Sequence, residues 1–212
     1  MRSKDFAALA ERLLDDLPRF FVKGQMAASR PIGHVLRGLY FEGSSFDKKS
    51  FYVWAFILPL FVPTKQVTFN LGKRLRTPSG GDRWNTDTPN MLEELDAAVK
   101  RQALPFLSAI ESPNDIVNVA AEFQGTGDPY VQQAIAYAWI RGGQVSRASE
   151  ELQRLRRSLD MNVAWQREIA ERAERLRTML LSDPAAAQRQ MDVWEAETVH
   201  NLGLKEFADS AA

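Results

Sequence analysis

The fold is decided by residues 51–62, FYVWAFILPLFV, the most apolar stretch of the 212-residue chain. The stretch has 12 residues and contains Pro59, whereas a membrane-spanning helix needs about 20 apolar residues. Its aromatic and β-branched residues are typical of a strand that is buried on both faces. We therefore predict that residues 51–58 form a central buried strand and that this stretch does not cross a membrane.

The segments on either side of this strand have a similar β-rich composition. Runs of β-branched and aromatic residues alternate with clusters of Gly, Ser, Pro and Asp, which are typical of turns. Together with the central strand, the predicted strands cover residues 20–26, 35–42, 51–58 and 67–71. Because short connections favour pairing between consecutive strands, the sequence predicts a four-stranded, mainly antiparallel sheet.

One amphipathic helix precedes the sheet. Its apolar residues recur at helical spacing, and they are Phe6, Leu9, Leu13, Leu14 and Leu17. Ser3 is placed to cap this helix and Pro18 is placed to end it. The sequence therefore predicts an α+β fold, with one N-terminal helix on the sheet.

Beyond residue 88 the pattern changes to helical periodicity. The pairs Asp128-Pro129 and Asp183-Pro184 each combine a capping residue with a proline at the first helical position, so each predicts a helix start. Between the two patterns lies a segment rich in Gly and Pro. We therefore predict an α+β domain over residues 1–76, a loop or linker over 77–88, and an all-helical domain over 89–208 that packs on the first.

Composition excludes several kinds of chemistry. The chain has no cysteine and only two histidines, which excludes thiolate catalysis and Cys- or His-rich metal sites. It contains neither a Gly-x-Ser-x-Gly elbow nor a glycine-rich phosphate loop. We predict no catalytic residues, no metal and no cofactor, although an enzyme using loop carboxylates such as Asp82 and Asp87 stays open as an alternative.

A basic segment is the one candidate binding site in the sequence. Its residues are Lys73, Arg74, Arg76, Arg83 and Trp84. Basic side chains beside an aromatic ring can hold a phosphate backbone and stack a base. The competing interpretation, which we favour, is an edge strand that Lys and Arg protect from aggregation, followed by a solvated loop.

The sequence carries two resemblances to known proteins. Residues 135–148, IAYAWIRGGQVSRA, place Ala136, Gly143 and Ala148 at the spacings of a tetratricopeptide-type helical hairpin. The resemblance implies two closely packed helices joined at the glycine.

The N-terminal part, including 35–42 and 51–63, resembles small uncharacterised bacterial α+β domains, which are often encoded near toxin, immunity or defence loci.

These observations favour a non-catalytic protein-binding module of an immunity-like or accessory kind. Residues 1–110 carry a net charge of +5 and residues 111–212 a net charge of −5, which suits contacts with another protein. Long apolar stripes in the helical half also predict self-association, and they comprise Leu152, Leu155, Leu159, Trp165, Ile169, Leu176 and Leu180. The alternatives are a nucleic-acid-associated protein and, less favoured, a hydrolase.

Without an apolar export signal at the N-terminus, we expect a cytoplasmic location and no membrane partner.

Overall fold

The computed structural model of the chain describes residues 3–15, 17, 19–123 and 127–208. Within those ranges it contains nine α-helices, one π-helical segment (Val99–Ala103) and six strands. The helices are α1 (Ser3–Leu13), α2 (Met91–Ala98), α3 (Leu104–Ser108), α4 (Asp115–Ala120), α5 (Pro129–Arg141), α6 (Val145–Ser158), α7 (Ala164–Ser182), α8 (Pro184–Asn201) and α9 (Lys205–Ala208). The strands are β1 (Phe20–Lys23), β2 (Met26–Ser29), β3 (Val35–Gly43), β4 (Ser50–Pro59), β5 (Gly72–Arg74) and β6 (Trp84–Asn85). The predicted α+β class is confirmed.

The strands form one sheet in the order β1-β2-β3-β4-β5, and β6 pairs with β4 outside that path. The sheet has more than the four predicted strands, in part because the run 20–26 belongs to a hairpin. Gly24 has a φ of +61°, a left-handed conformation that glycine adopts without strain, and the chain reverses there between β1 and β2. The predicted run therefore covers β1, the turn and only the first residue of β2.

Residues 67–71, all of which the structure describes, do not form the predicted strand. The segment Pro59–Leu71 clusters instead with the helices that follow residue 110. Asn70 Nδ2 donates a hydrogen bond to Asp128 Oδ2 at 2.8 Å, and the guanidinium of Arg141 lies 5.6 Å from the ring centroid of Phe61. Because these side chains engage helical residues, the segment stays irregular despite its β-rich composition.

Helix α1 packs on the sheet through aromatic contacts. The ring centroid of Phe6 lies 6.1 Å from that of Phe41 in β3 and 5.9 Å from that of Phe51 in β4. All three side chains are fully buried. The helix ends at Leu13, and its predicted stop, Pro18, lies outside the described residues.

Strand β4 confirms the central strand predicted from residues 51–58. Burial alternates along its first half, where Phe51 and Val53 are buried while Tyr52 and Trp54 are half-buried. From residue 55 to residue 59 every position is buried, so burial on both faces applies only to this second half. No helix in the described part of the chain is long and apolar enough to cross a membrane.

The chain forms two compact units, and each unit is made of segments that are separated in the sequence. The sheet unit comprises residues up to Leu58, Gly72–Ala109 and residues from Leu204 onward, and the helical unit comprises Pro59–Leu71 and Ile110–Gly203. Residues 91–109, predicted within the helical domain, thus cluster with the sheet. The side chain of Gln102 explains part of this grouping, because it forms two hydrogen bonds with the main chain of Arg76.

Helices α5 to α8 of the helical unit pack in sequence, each on the next. The carboxylate of Asp128 caps α5 by accepting from Tyr130 N at 2.8 Å, and that of Asp183 caps α8 by accepting from Ala185 N at 3.0 Å. Ala136 and Ala148 are fully buried where α5 and α6 meet, as expected for a close helical hairpin. Gly143 has a φ of +71° in the turn between them.

Candidate functional site

Arg74 of the predicted basic segment lies in a cluster on strand β5. Its guanidinium lies 4.0 Å from the ring centroid of Tyr52 and 4.7 Å from that of Trp54. It also forms ion pairs at 3.2 Å with Glu42 and with Asp82. Since two carboxylates balance this charge, Arg74 joins neighbouring strands and offers little net charge to a phosphate backbone.

Lys73 and Trp84 are also engaged by the protein itself. Lys73 Nζ lies 4.3 Å from the ring centroid of Phe106. Trp84 is only 2 % exposed, and its indole Nε1 donates a hydrogen bond to the carbonyl oxygen of Leu75 at 3.3 Å. The Trp84 ring is a core side chain in strand β6, so it does not present a face on which a base could stack.

Arg76 and Arg83 are the exposed members of the predicted segment. Arg76 Nη1 donates to the carbonyl oxygen of Gly80 at 3.4 Å. Arg83 and Trp84 both line a cavity of about 290 Å³ in the loop region that contains Thr77 and Ser79. The five predicted residues are therefore neighbours along one edge of the sheet, but of the five only Arg83 and Trp84 line this cavity.

The edge-strand interpretation agrees with the topology. Strand β5 ends the order of the sheet and pairs with β4 through Gly72, Lys73 and Arg74. Positively charged side chains on an edge strand hinder pairing with other chains. This arrangement accounts for Lys73 and Arg74 without any ligand.

The acidic residues that a hydrolase would need are held by structural contacts. Asp87 Oδ2 accepts from Lys49 Nζ at 2.6 Å, and Asp82 pairs with Arg74. Hydrogen bonds from Lys49 N and Ser50 Oγ lower the pKa of Asp47. The described residues contain no group of three or more His, Asp or Glu side chains that could hold a metal ion.

The apolar stripes that predicted self-association are covered within the helical unit. Six of the seven side chains are at most 7 % exposed, and they are Leu152, Leu155, Leu159, Ile169, Leu176 and Leu180. Helix α7 packs on α6 and on α8, which accounts for this burial. Trp165 is the exception, because 41 % of its surface is exposed.

Trp165 stacks on a second exposed aromatic residue. Its ring centroid lies 5.5 Å from that of Tyr130, and the two ring planes differ by 8°. Tyr130 is 43 % exposed, and Met161, four residues before Trp165, is 46 % exposed. We refer to Tyr130 and Trp165 as the aromatic pair, and it joins the first turns of α5 and α7.

The aromatic pair could not be predicted from the sequence because its members are 35 positions apart. A local signal for Tyr130 does exist, since it lies outside the apolar stripe of α5 that contains Val131 and Ile135. An aromatic residue off the buried stripe of an amphipathic helix must face elsewhere. Only the packing of the helices shows that Trp165 meets it there.

The basic edge of the sheet and the aromatic pair of the helical unit are the two surfaces that bear on the predicted binding site and the predicted protein contact. Comparisons with protein-family models, with curated proteins and with solved structures found no match to this chain.

Proposed function

We propose that this chain is a non-catalytic protein-binding module and that the aromatic pair, Tyr130 and Trp165, is the centre of its contact surface. The observation that carries the proposal is the stacking of two large aromatic rings that are both more than 40 % exposed. Trp and Tyr are enriched among the residues that dominate the energy of protein interfaces. Two such residues in contact on the surface are typical of an interface centre.

The aromatic pair is held in place before any partner binds. Asp128 caps the helix on which Tyr130 lies, and it also accepts the hydrogen bond from Asn70. Two residues beyond Tyr130, the amide oxygen of Gln132 accepts a hydrogen bond from Ser158 Oγ at 2.9 Å. Because these contacts order the first turn of α5 and the two rings stack on each other, little side-chain entropy would be lost on binding.

The charge of the helical half indicates the kind of partner. Residues 111–212 carry a net charge of −5. A partner with an apolar patch and an overall basic surface would be attracted to this half of the chain, because opposite net charges favour encounter. The resemblance of the N-terminal part to domains from toxin, immunity or defence loci supports an immunity-like or accessory role for such a module.

Nucleic-acid binding through the basic segment is the weaker alternative. The stacking residue on which that hypothesis depended, Trp84, is buried, and Arg74 is neutralised by two carboxylates. Arg76 and Arg83 would remain to contact phosphates. Two exposed cations provide only a weak, salt-dependent contact.

Affinity purification from native cells tests the proposed function. The tagged wild type should retain a stoichiometric partner, and the Tyr130→Ala/Trp165→Ala variant should lose it. The matched control is Leu181→Ala/Val193→Ala, which also removes two exposed apolar side chains, at 56 % and 51 % exposure, from the helical unit.

Circular dichroism should show that all three proteins are folded. Retention of the same partner by the aromatic variant, or its loss from both variants alike, would contradict the proposal. A second copy of this chain, captured by the wild type and lost only from the aromatic variant, would identify the partner as the chain itself.

A further inference from the structure

Arginine side chains of this chain lie over the rings of three of its five tryptophans. The pairs, with the distance from the guanidinium carbon to the ring centroid, are Arg74 with Trp54 at 4.7 Å, Arg147 with Trp139 at 4.9 Å and Arg172 with Trp194 at 6.0 Å. The negative face of an aromatic π-system attracts a cation in this position. A fourth tryptophan, Trp84, lies in the core. Four of the five indole rings are thus either buried or in contact with an arginine of the same chain.

Trp165 is the fifth tryptophan, and it departs from this pattern. Among the described residues, no Lys or Arg lies over its ring or over the ring of Tyr130. The arginine nearest to it in the sequence, Arg167, is engaged elsewhere, since its Nη1 donates to the carbonyl oxygen of Met161 at 3.3 Å. Both members of the aromatic pair are more than 40 % exposed. The pair therefore offers accessible aromatic surface to a cation from another molecule.

The charges near the aromatic pair also favour a cation. Glu168 lies three residues after Trp165, so the two side chains are neighbours on the surface of α7. Glu168 is exposed, and no ion pair of the described residues involves it. A second carboxylate, that of Asp128, lies at the start of α5 and accepts from the main-chain N–H of Tyr130. Both carboxylates belong to the part of the chain, residues 111–212, that carries a net charge of −5.

We propose that the aromatic pair binds an arginine side chain of the protein partner, with the guanidinium over the exposed rings and within reach of Glu168. This inference rests on the proposed function, because it names the group that the partner places on the same surface. A guanidinium is planar and more weakly hydrated than an ammonium, so it stacks well on an aromatic ring. The partner thus supplies for Trp165 the contact that the chain itself supplies for three other tryptophans.

Proton–nitrogen correlation NMR of the full chain tests this inference, because each tryptophan contributes one indole N–H resonance. The probe is N-acetyl-L-arginine amide, and the control ligand is N-acetyl-L-citrulline amide, which has a similar size and shape but no charge. At constant ionic strength, the arginine derivative should shift the Trp165 resonance saturably as its concentration rises to about 100 mM. It should bind about fivefold more tightly than the citrulline derivative, as expected for a cation–π contact at an exposed site.

Trp139 is the internal control in the same spectra. It lies in the same unit as Trp165, but Arg147 already lies over its ring. Its resonance should therefore not follow the saturation curve of Trp165. Equal responses of the two resonances would show a non-specific effect of the ligand and overturn the inference.

Three variants locate the binding position. Tyr130→Ala should abolish the saturable shift of Trp165, because it removes half of the aromatic pair. Glu168→Gln should weaken binding of the arginine derivative about two- to fivefold, since it removes one exposed carboxylate. The matched control is Glu197→Gln, which removes an exposed carboxylate from α8 and should leave the affinity unchanged. Equal weakening by the two glutamine variants would contradict the position assigned to the guanidinium.

The remaining outcomes separate this inference from the proposed function. No shift of Trp165, or equal affinity for the arginine and citrulline derivatives, would overturn the inference, and equal affinity for N-acetyl-L-lysine amide would overturn the choice of a guanidinium. If affinity purification retains a partner that depends on the aromatic pair while the arginine derivative fails to bind, only this inference is wrong. If the derivative binds as expected and no partner is retained, the arginine site stands and the proposed function is wrong.

Discussion

Replacement of Gly38 by alanine tests the packing of the sheet. Gly38 in β3 pairs with Ala28 in β2, and both Ala27 and Ala28 are fully buried. A β-carbon at Gly38 would overlap the carbonyl oxygen of Ala27 and lie 2.9 Å from the Cα atom of Ala28. These obstacles are backbone atoms, which cannot move aside by changing a rotamer. Gly38→Ala should therefore cost about 3 kcal/mol, at the upper end of ordinary overpacking.

Urea unfolding, followed by tryptophan fluorescence and circular dichroism, would measure this cost. For a slope of about 2–3 kcal/mol per molar urea, the midpoint should fall by about 1 M. The control is Gly81→Ala, since a β-carbon there would lie 3.6 Å from Thr77 Oγ1, an ordinary contact. Its free energy of unfolding should change by less than about 0.5 kcal/mol. Equal stability of Gly38→Ala and the wild type would refute the observed pairing of β2 with β3.

Two further predictions concern Arg74 and Tyr137. Arg74→Ala should lower the free energy of unfolding by about 1–2 kcal/mol, since it removes two partly exposed ion pairs and two cation–π contacts; Arg76→Ala should change it much less, and equal effects in urea unfolding would contradict the structural role of Arg74. Burial raises the pKa of Tyr137 to about 12, so its phenol should stay protonated above pH 10 in an absorbance titration. The unfolded chain releases that proton near pH 10, and stability should therefore fall as the pH rises from about 10 to about 12. Tyr137→Phe should lack this part of the pH dependence, and an unchanged pH profile in that variant would argue against the assignment.

The parts of the fold that the sequence predicted correctly have local causes. Strand β4 follows from an apolar run too short for a membrane span, and α5 and α8 follow from an aspartate directly before a proline. Each signal lies within about ten neighbouring residues. At these positions the local preference and the tertiary packing favour the same backbone conformation, so a local signal is enough to predict it.

The errors have non-local causes. The run 67–71 has strand-like composition, but contacts such as that of Asn70 with Asp128 keep it with the helices. Trp84 lies in a segment that resembles a solvated loop, yet β6 pairs with β4 and buries its ring. In both places tertiary contacts outweigh the local preference of the chain.

The candidate sites were harder to predict than the fold. Tyr130 meets Trp165 only because α5 and α7 lie side by side at their first turns. Spacing along the chain does not contain this information.

Site-specific photocrosslinking in native cells tests the proposed protein contact most directly. A benzophenone amino acid would replace Trp165 in one protein and Phe46, which is 94 % exposed in the sheet unit, in another. Irradiation should give one discrete protein adduct from position 165 and no such adduct from position 46. The absence of any adduct at position 165, or the same adduct at both positions, would contradict a binding surface centred on the aromatic pair.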